Sequence, residues 1–237
     1  MVERASSEHP ALSRWQMLQA LGDRLEQLLL APGSTADGFV PTLDKLTREL
    51  DTLMFQDVDL AVFEVVRIGS DKLSRYGALH SLHTACVVWL VARRKEWVDG
   101  KRLNALKAAL TMNIAVTDLQ TTLALQSGPM EELQRQRMRN HPLDGMHMLK
   151  GLGVVDQDWL DAVAQHHEQP DGQGYPQGLT KVTELADVLR TCDVFCAKMS
   201  PRVGRPAMLS PTAAVSIFRQ QSANKFGATV VTTIGVF

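Results

Sequence analysis

Two adjacent histidines and an acid, His166, His167 and Glu168, open the stretch HHEQPDGQGYPQGL, which ends at Leu179. Neutral imidazole is a good ligand for a divalent transition metal. The preceding residues, WLDAVAQ, place Trp159, Leu160 and Val163 at helical spacing, so the two histidines close a helix. Neighbouring side chains there diverge by about 100°, which suits two adjacent metals, or one metal and one phosphate. His167 comes four residues after Val163 and is expected on the inward face. The turn at Gly174, Tyr175 and Pro176 lets backbone come close to a ligand, while Tyr175 offers a ring and a hydroxyl. Taken alone, a histidine pair at a helix C-terminus is as well explained by the helix dipole.

Other residues could join that chemistry. His80 and His83 lie one turn apart in HSLHTACVVWLVARRKE and share a face with Val87 and Leu90. Histidines on such a face are more often buried and hydrogen-bonded than ligating. His141 precedes Pro142, which suits the first turn of a helix, so the charged helix MEELQRQRMRN should end there. His147, between Met146 and Met148, is expected to pack. Asp193 stands in an apolar run with Leu189, Cys192, Phe195 and Cys196, and a buried carboxylate needs a partner or a metal. Arg202 and Arg205, three apart, have the planar fork that suits phosphate, although solvated surface arginines explain them equally.

The elements that must position these groups read as helices. Amphipathic stretches cover 11–30, 41–54, 58–66, a segment from Leu79, 101–116, 182–199 and 211–220. No strand-like alternation appears in the N-terminal half, and the expected fold class is all-α. With 237 residues, 45% of them hydrophobic, it can bury a core without disulfides. Cys86, Cys192 and Cys196 lie in apolar segments and read as reduced core thiols. A net charge of −1 and no basic tract argue against charge-driven nucleic-acid binding. No run approaches the roughly 20 apolar residues of a membrane span, and the first residues are polar, so a cytoplasmic protein is expected.

The string from His166 to Leu179 matches HHExxDGxGYPxGL throughout. On it the chain resembles the HD-GYP family, bacterial metal-dependent phosphodiesterases of the HD superfamily that hydrolyse cyclic di-GMP. His80-Ser81 is similar to a ligand-bearing His-Ser of that family, and NHPLDGMHMLKGLG to its HPxxGxxxL element, whose histidine corresponds to His141. Asp193 falls where the family has a ligand aspartate, and RVGRPAM partly matches RPYRPAM. The resemblance implies an HD-domain-like bundle of about 7–10 helices. It implies metal ligands at His80, His141, His166, His167 and Asp193, and substrate contacts at Gly174, Tyr175, Arg202 and Arg205. Residues 76–237 would form this domain, with 1–75 a helical segment packed on it and the C-terminus short of the family's usual end.

The departures carry a consequence. Where the family shows AxLLHDIGK, Met112 and Asn113 replace His-Asp, and Val116 replaces Lys. An amide offers one neutral oxygen in place of a bridging carboxylate, and a thioether is a poor ligand for Fe or Mn. Tyr76 stands where a further acidic ligand is common, and Cys196 where the family has a second aspartate. The resemblance then implies a signalling domain related to cyclic di-GMP phosphodiesterases, catalytically impaired, that binds a cyclic dinucleotide or a GGDEF-type signalling protein. It would hold one divalent metal (Fe, Mn, Ni or Zn), or none. The alternative is an active phosphohydrolase with a reduced metal site, and after it a purely structural domain.

Overall fold

Ser13 and Gln16 start the first helix by satisfying each other's backbone: Gln16 N–H donates to Ser13 Oγ at 3.3 Å, and Ser13 N–H to Gln16 Oε1 at 2.8 Å. Helix α1 (Arg14–Leu30) buries Leu18, Leu21, Leu25, Leu28 and Leu29 on one stripe. Against it lies α2 (Phe39–Gln56), which buries the expected Leu43, Leu46, Leu50 and Leu53. The computed structural model describes residues 12–60 and 70–221. Residues 58–60 are helical; the rest of the helix expected over 58–66, the N-terminal tail and the segment after the last helix lie outside the described residues.

After a 3-10 turn (Ser70–Arg75) comes α3 (Tyr76–Arg94), in which every residue from Tyr76 to Trp89 is buried. It packs on α1, on α4 (Asp99–Thr111), on α5 (Thr117–Leu125) and on α8 (Glu184–Met199). Gly77 makes the α5 contact feasible: a Cβ there would sit 2.2 Å from the Thr117 carbonyl oxygen. Its N–H donates to Thr121 Oγ1 at 3.1 Å, which seats the helix just before His80.

Two expected helices are divided differently. The helix anticipated over 101–116 stops at Thr111, passes through Met112 and Asn113, and makes a 3-10 turn (Ile114–Val116) before α5, which the sequence pattern had not suggested. The Asn113 carbonyl explains the break, since it accepts both Val116 N–H at 2.9 Å and Thr117 Oγ1–H at 3.1 Å. Conversely, Pro142 starts no new helix. It lies inside α6 (Glu132–Gly151), one continuous helix that carries His141 in its middle. His147 is exposed and does not pack. The bundle is completed by α7 (Gln157–Gln165) and by α9 (Ser210–Gln221), which covers α8 with Ala213, Ala214 and Ile217. One hydrophobic cluster runs from Leu18 to Ile217. Among the described residues no helix is long and apolar enough to cross a membrane.

A buried ion pair fastens α2 to the centre. Arg102 donates Nε and Nη2 to the two oxygens of Asp51 at 2.8 and 3.0 Å, and Trp89 Nε1–H reaches Asp51 Oδ1 at 2.8 Å. Asp51→Ala would leave a buried guanidinium and an indole N–H without their acceptor. Unfolding in urea should show a loss of about 3 kcal/mol or more; a loss within about 0.5 kcal/mol would mean that Asp99, the other partner of Arg102, suffices.

Candidate metal centre

Pro142 and the C-terminus of α7 each leave a backbone carbonyl without a helical donor, and a histidine takes each one. Proline has no N–H, so the Met138 carbonyl, four residues earlier, loses its partner. His141 Nδ1 lies 2.7 Å from that oxygen. At the end of α7 the last carbonyls likewise lack donors from a following helical turn; the Gln165 carbonyl takes Glu168 N–H at 2.8 Å, and His166 Nδ1 lies 2.6 Å from the Val163 carbonyl. A carbonyl only accepts, so each Nδ1 carries a proton and each Nε2 is left for other work. The two Nε2 atoms face each other 3.1 Å apart.

Both rings are held neutral. Burial, then the neighbouring His166, pushes the His141 imidazole down to about 3. Burial also lowers His166, against the opposing pull of Asp193. His167 lies well below the ordinary value through burial, His166 and His141. Two lone pairs therefore meet with no proton between them. Their separation matches the spacing of adjacent ligands, about 3.0–3.4 Å, around an ion with metal–nitrogen bonds of about 2.0–2.1 Å.

His141, His166 and His167 form one cluster, with ligating atoms all within 4.8 Å of one another. His166 is fully buried and His167 half-buried, the reverse of the expected order, because α7 ends at Gln165 and His167 already belongs to the turn. The Tyr175 ring stacks on His167 at 4.6 Å, and Tyr175 N–H donates to the His167 carbonyl at 3.2 Å. Burial raises the Tyr175 hydroxyl, so it stays protonated.

His80 and Asp193 make a second buried group, with Nε2 and Oδ1 2.7 Å apart. Burial would raise the Asp193 carboxyl, but the hydrogen bond and charge of His80 outweigh it and hold the group well below the usual range. Its charge reaches all three clustered histidines. Beside the pair, Tyr76 stacks on His80 at 5.5 Å, and its hydroxyl oxygen accepts Arg202 Nε–H at 3.0 Å and Nη2–H at 2.6 Å. Arg202 and Arg205 bridge through their backbones at 2.9 Å around Val203 and Gly204, and Arg205 Nη2–H donates to the Ala197 carbonyl. Both guanidinium groups are thus engaged within the protein.

Met112 belongs to the apolar core. Asn113 is 1% exposed, and neither Oδ1 nor Nδ2 has a hydrogen-bond partner among the described residues. The 3-10 turn that follows it packs on α6, which bears His141. A buried amide without partners is costly in a dry interior, so its surroundings call for a polar guest.

Two residues have roles that the sequence did not reveal. Glu168 is 1% exposed and accepts Gln177 N–H at 2.8 Å on one oxygen and Leu179 N–H at 2.9 Å on the other. It closes the loop against α7, and Gly174 permits the close approach: a Cβ there would lie 2.3 Å from Gln169 N. Arg190 is buried on α8, one turn before Asp193, and its charge bears on His166, His167 and Tyr175. An arginine among Leu185, Val188, Leu189 and Cys192 was the available signal.

The donor set fits a divalent ion at His141, His166 and His167: three neutral imidazoles, two of them pre-oriented. Such an ion would polarise a phosphoryl oxygen and acidify a bound water. The chain's own residues hold the rings neutral and aim two of them through Met138 and Val163.

The HD domain family matches residues 66–230 of this all-α bundle, and the chain belongs to that family. Its relatives place it more narrowly. It is 28% identical over 144 residues to the cyclic di-GMP phosphodiesterase PA4108 of Pseudomonas aeruginosa, covering 60% of this chain and 34% of that protein. It is 27% identical over 140 residues to the 3'3'-cGAMP-specific phosphodiesterase 3 of Vibrio cholerae, covering 58% and 30%. Bd1817, an HDG"Y"P protein from Bdellovibrio bacteriovorus, shares the fold with a TM-score of 0.74 at 14% identity over 96% of this chain and 73% of that one. The chain is a member of the HD-GYP family, and it spans about a third of the length of the curated relatives it matches.

The neutral histidines fix the sign of a pH effect. Unfolded histidine protonates near its ordinary value of about 6.5, whereas folded His141 stays neutral down to about 3. The unfolded chain thus binds more protons in that interval, and stability, full above about pH 6.5, falls as pH drops from there. Below the ordinary aspartate value of 3.8, protonation towards Asp193 removes more. Chelator-treated protein should melt lower at about pH 5 than at about pH 7.5, and His141→Asn should flatten the slope. An unchanged Tm across that interval would refute the neutral-imidazole assignment.

Glu168→Ala supplies a second check. It leaves Gln177 and Leu179 N–H without acceptors, and amide exchange over 168–179 should speed up by about tenfold or more. Unchanged protection would show that the loop closes without this carboxylate.

Proposed function

We propose that this chain is an HD-GYP signalling domain that holds one divalent ion on His141, His166 and His167 and binds a cyclic dinucleotide there with little or no turnover. The observation that carries the reading is Asn113. A carboxylate at that turn would bridge a second ion and supply the negative charge such a pair requires. The amide is neutral, buried and unpartnered, and Met112 before it is packed in the core. Only Asp193 brings a negative charge to the histidines from the candidate ligand set, and it is already bonded to His80. One ion on neutral ligands keeps a net positive charge, which suits an anionic ligand. The relatives that act on cyclic dinucleotides supply the ligand class, and the stacked His167–Tyr175 pair supplies an aromatic wall beside it.

The alternative is slow hydrolysis at a reduced site, which the intact histidine cluster favours. Elemental analysis of protein purified without chelator, calorimetric titration with cyclic di-GMP, and chromatography for linear product separate the two. The binding domain should show about one ion per chain, saturable uptake and no product. Two ions per chain with product formation would establish the enzyme. No uptake of the dinucleotide would turn attention to a protein partner such as a GGDEF-type cyclase.

Asn113→Asp provides an independent test. The variant should be less stable without metal, because a buried charge replaces an amide, and should regain stability as Mn or Zn is added. Its ion content should rise above that of the native protein; unchanged content would separate this turn from the centre.

A further inference from the structure

The two arginines expected to meet phosphate each spend donors within the protein, Arg202 on the Tyr76 hydroxyl and Arg205 on the Ala197 carbonyl. A different cation stands open beside the histidine cluster. Arg139 lies on α6 two residues before His141, exposed, and makes no hydrogen bond or ion pair with any described residue. Its neighbours along the same helix differ: Arg135 pairs with Glu132 at 2.9 Å and Arg137 with Asp118 at 3.1 Å. The guanidinium carbon of Arg139 sits 6.0 Å from the centre of the Tyr175 ring, whose plane is stacked on His167. The unpaired fork therefore borders the clustered histidines through one intervening ring.

We propose that Arg139 is the anion-receiving side chain of this pocket, closing on a phosphate group of a ligand seated at His141, His166 and His167, with Tyr175 as its platform. This rests on the binding reading given above. Several features support the assignment. A guanidinium lying near an aromatic ring is partly oriented before it meets a phosphate, and its fork accepts two oxygens at once. Turning to a phosphate breaks no hydrogen bond or ion pair of Arg139 with a described residue. Its charge also bears on the Tyr175 hydroxyl, which places the two groups in one electrostatic environment.

The test is calorimetric titration of the metal-containing protein as purified, with cyclic di-GMP and, separately, inorganic phosphate as probes. Arg139→Gln should weaken dinucleotide binding by about tenfold or more and reduce its dependence on salt, the loss expected for one charge-assisted contact. Arg139→Lys should recover part of the affinity by restoring the charge, and Arg137→Gln, an exposed change on the same helix, should stay within about twofold. The thermal melt of Arg139→Gln should match that of the native protein, so a folding defect cannot stand in for a binding one. Native affinity and native salt dependence in Arg139→Gln would overturn the assignment while leaving the binding reading intact. A native protein that takes up neither probe removes the binding reading and this inference with it.

Discussion

The centre of this molecule depends on two nitrogen lone pairs that face each other without a proton between them. His141 and His166 come from different helices, and each ring is fixed by a backbone carbonyl that the helix itself cannot use. In α6 the vacancy comes from a proline in mid-helix; in α7 it comes from the helix end. Both devices spend a local irregularity on orientation, and both force the proton onto Nδ1. Burial then prevents a second proton from relieving the contact. In a chain without a cation the arrangement is destabilising, and with one it is a ready-made pair of ligands. The folding cost of pre-orienting the rings thus returns as affinity for an ion.

Around that pair the distribution of charge differs from what a two-metal hydrolase needs. The clustered histidines are neutral, Asp193 is held ionised by His80, and Arg190 adds a buried positive charge one turn away. On the proposed reading, a second divalent ion would lie close to the first, with an amide at Asn113 in place of a carboxylate. At such distances like charges in a partly dry site repel by several kcal/mol. An anion experiences the same field as attraction. The neutral imidazoles and the amide at Asn113 are thus the features that support the proposed binding role.

How much of this was legible in the sequence varies with the range of the interaction. The helices with a leucine stripe, α1 and α2, could be read directly, since periodicity reports burial. The histidine cluster was legible because adjacent residues at a helix end and a His-Pro pair are local signals. The break at Asn113 was not: it depends on one carbonyl accepting from both Val116 and Thr117, a competition invisible to hydrophobic spacing. Pro142 misled for a related reason. A proline usually opens a helix, but here the missing hydrogen bond is replaced by an imidazole of the preceding residue, so the helix continues. Tyr76 and Arg202 are 126 positions apart, and no local pattern joins them. Nor does any spacing show that an arginine expected on a ligand is already bonded to a tyrosine.

The long motif from His166 to Leu179 also carries less chemical information than its length suggests. Glu168 binds two backbone amides of the loop, Asp171 Oδ1 accepts Gln173 N–H at 2.9 Å, and Gly174 fits only because it has no Cβ. Those residues are explained by the path of the backbone, whatever ligand the pocket takes. What remains for chemistry is the two histidines and Tyr175, side chains that the loop presents to the pocket. A chain could lose the second half of a metal site and keep every loop residue, since the loop's hydrogen bonds do not pass through Met112 or Asn113. The intact motif beside an altered turn is therefore no contradiction: the loop residues answer to the path of the backbone, and the turn at Met112 and Asn113 lies outside their hydrogen bonds.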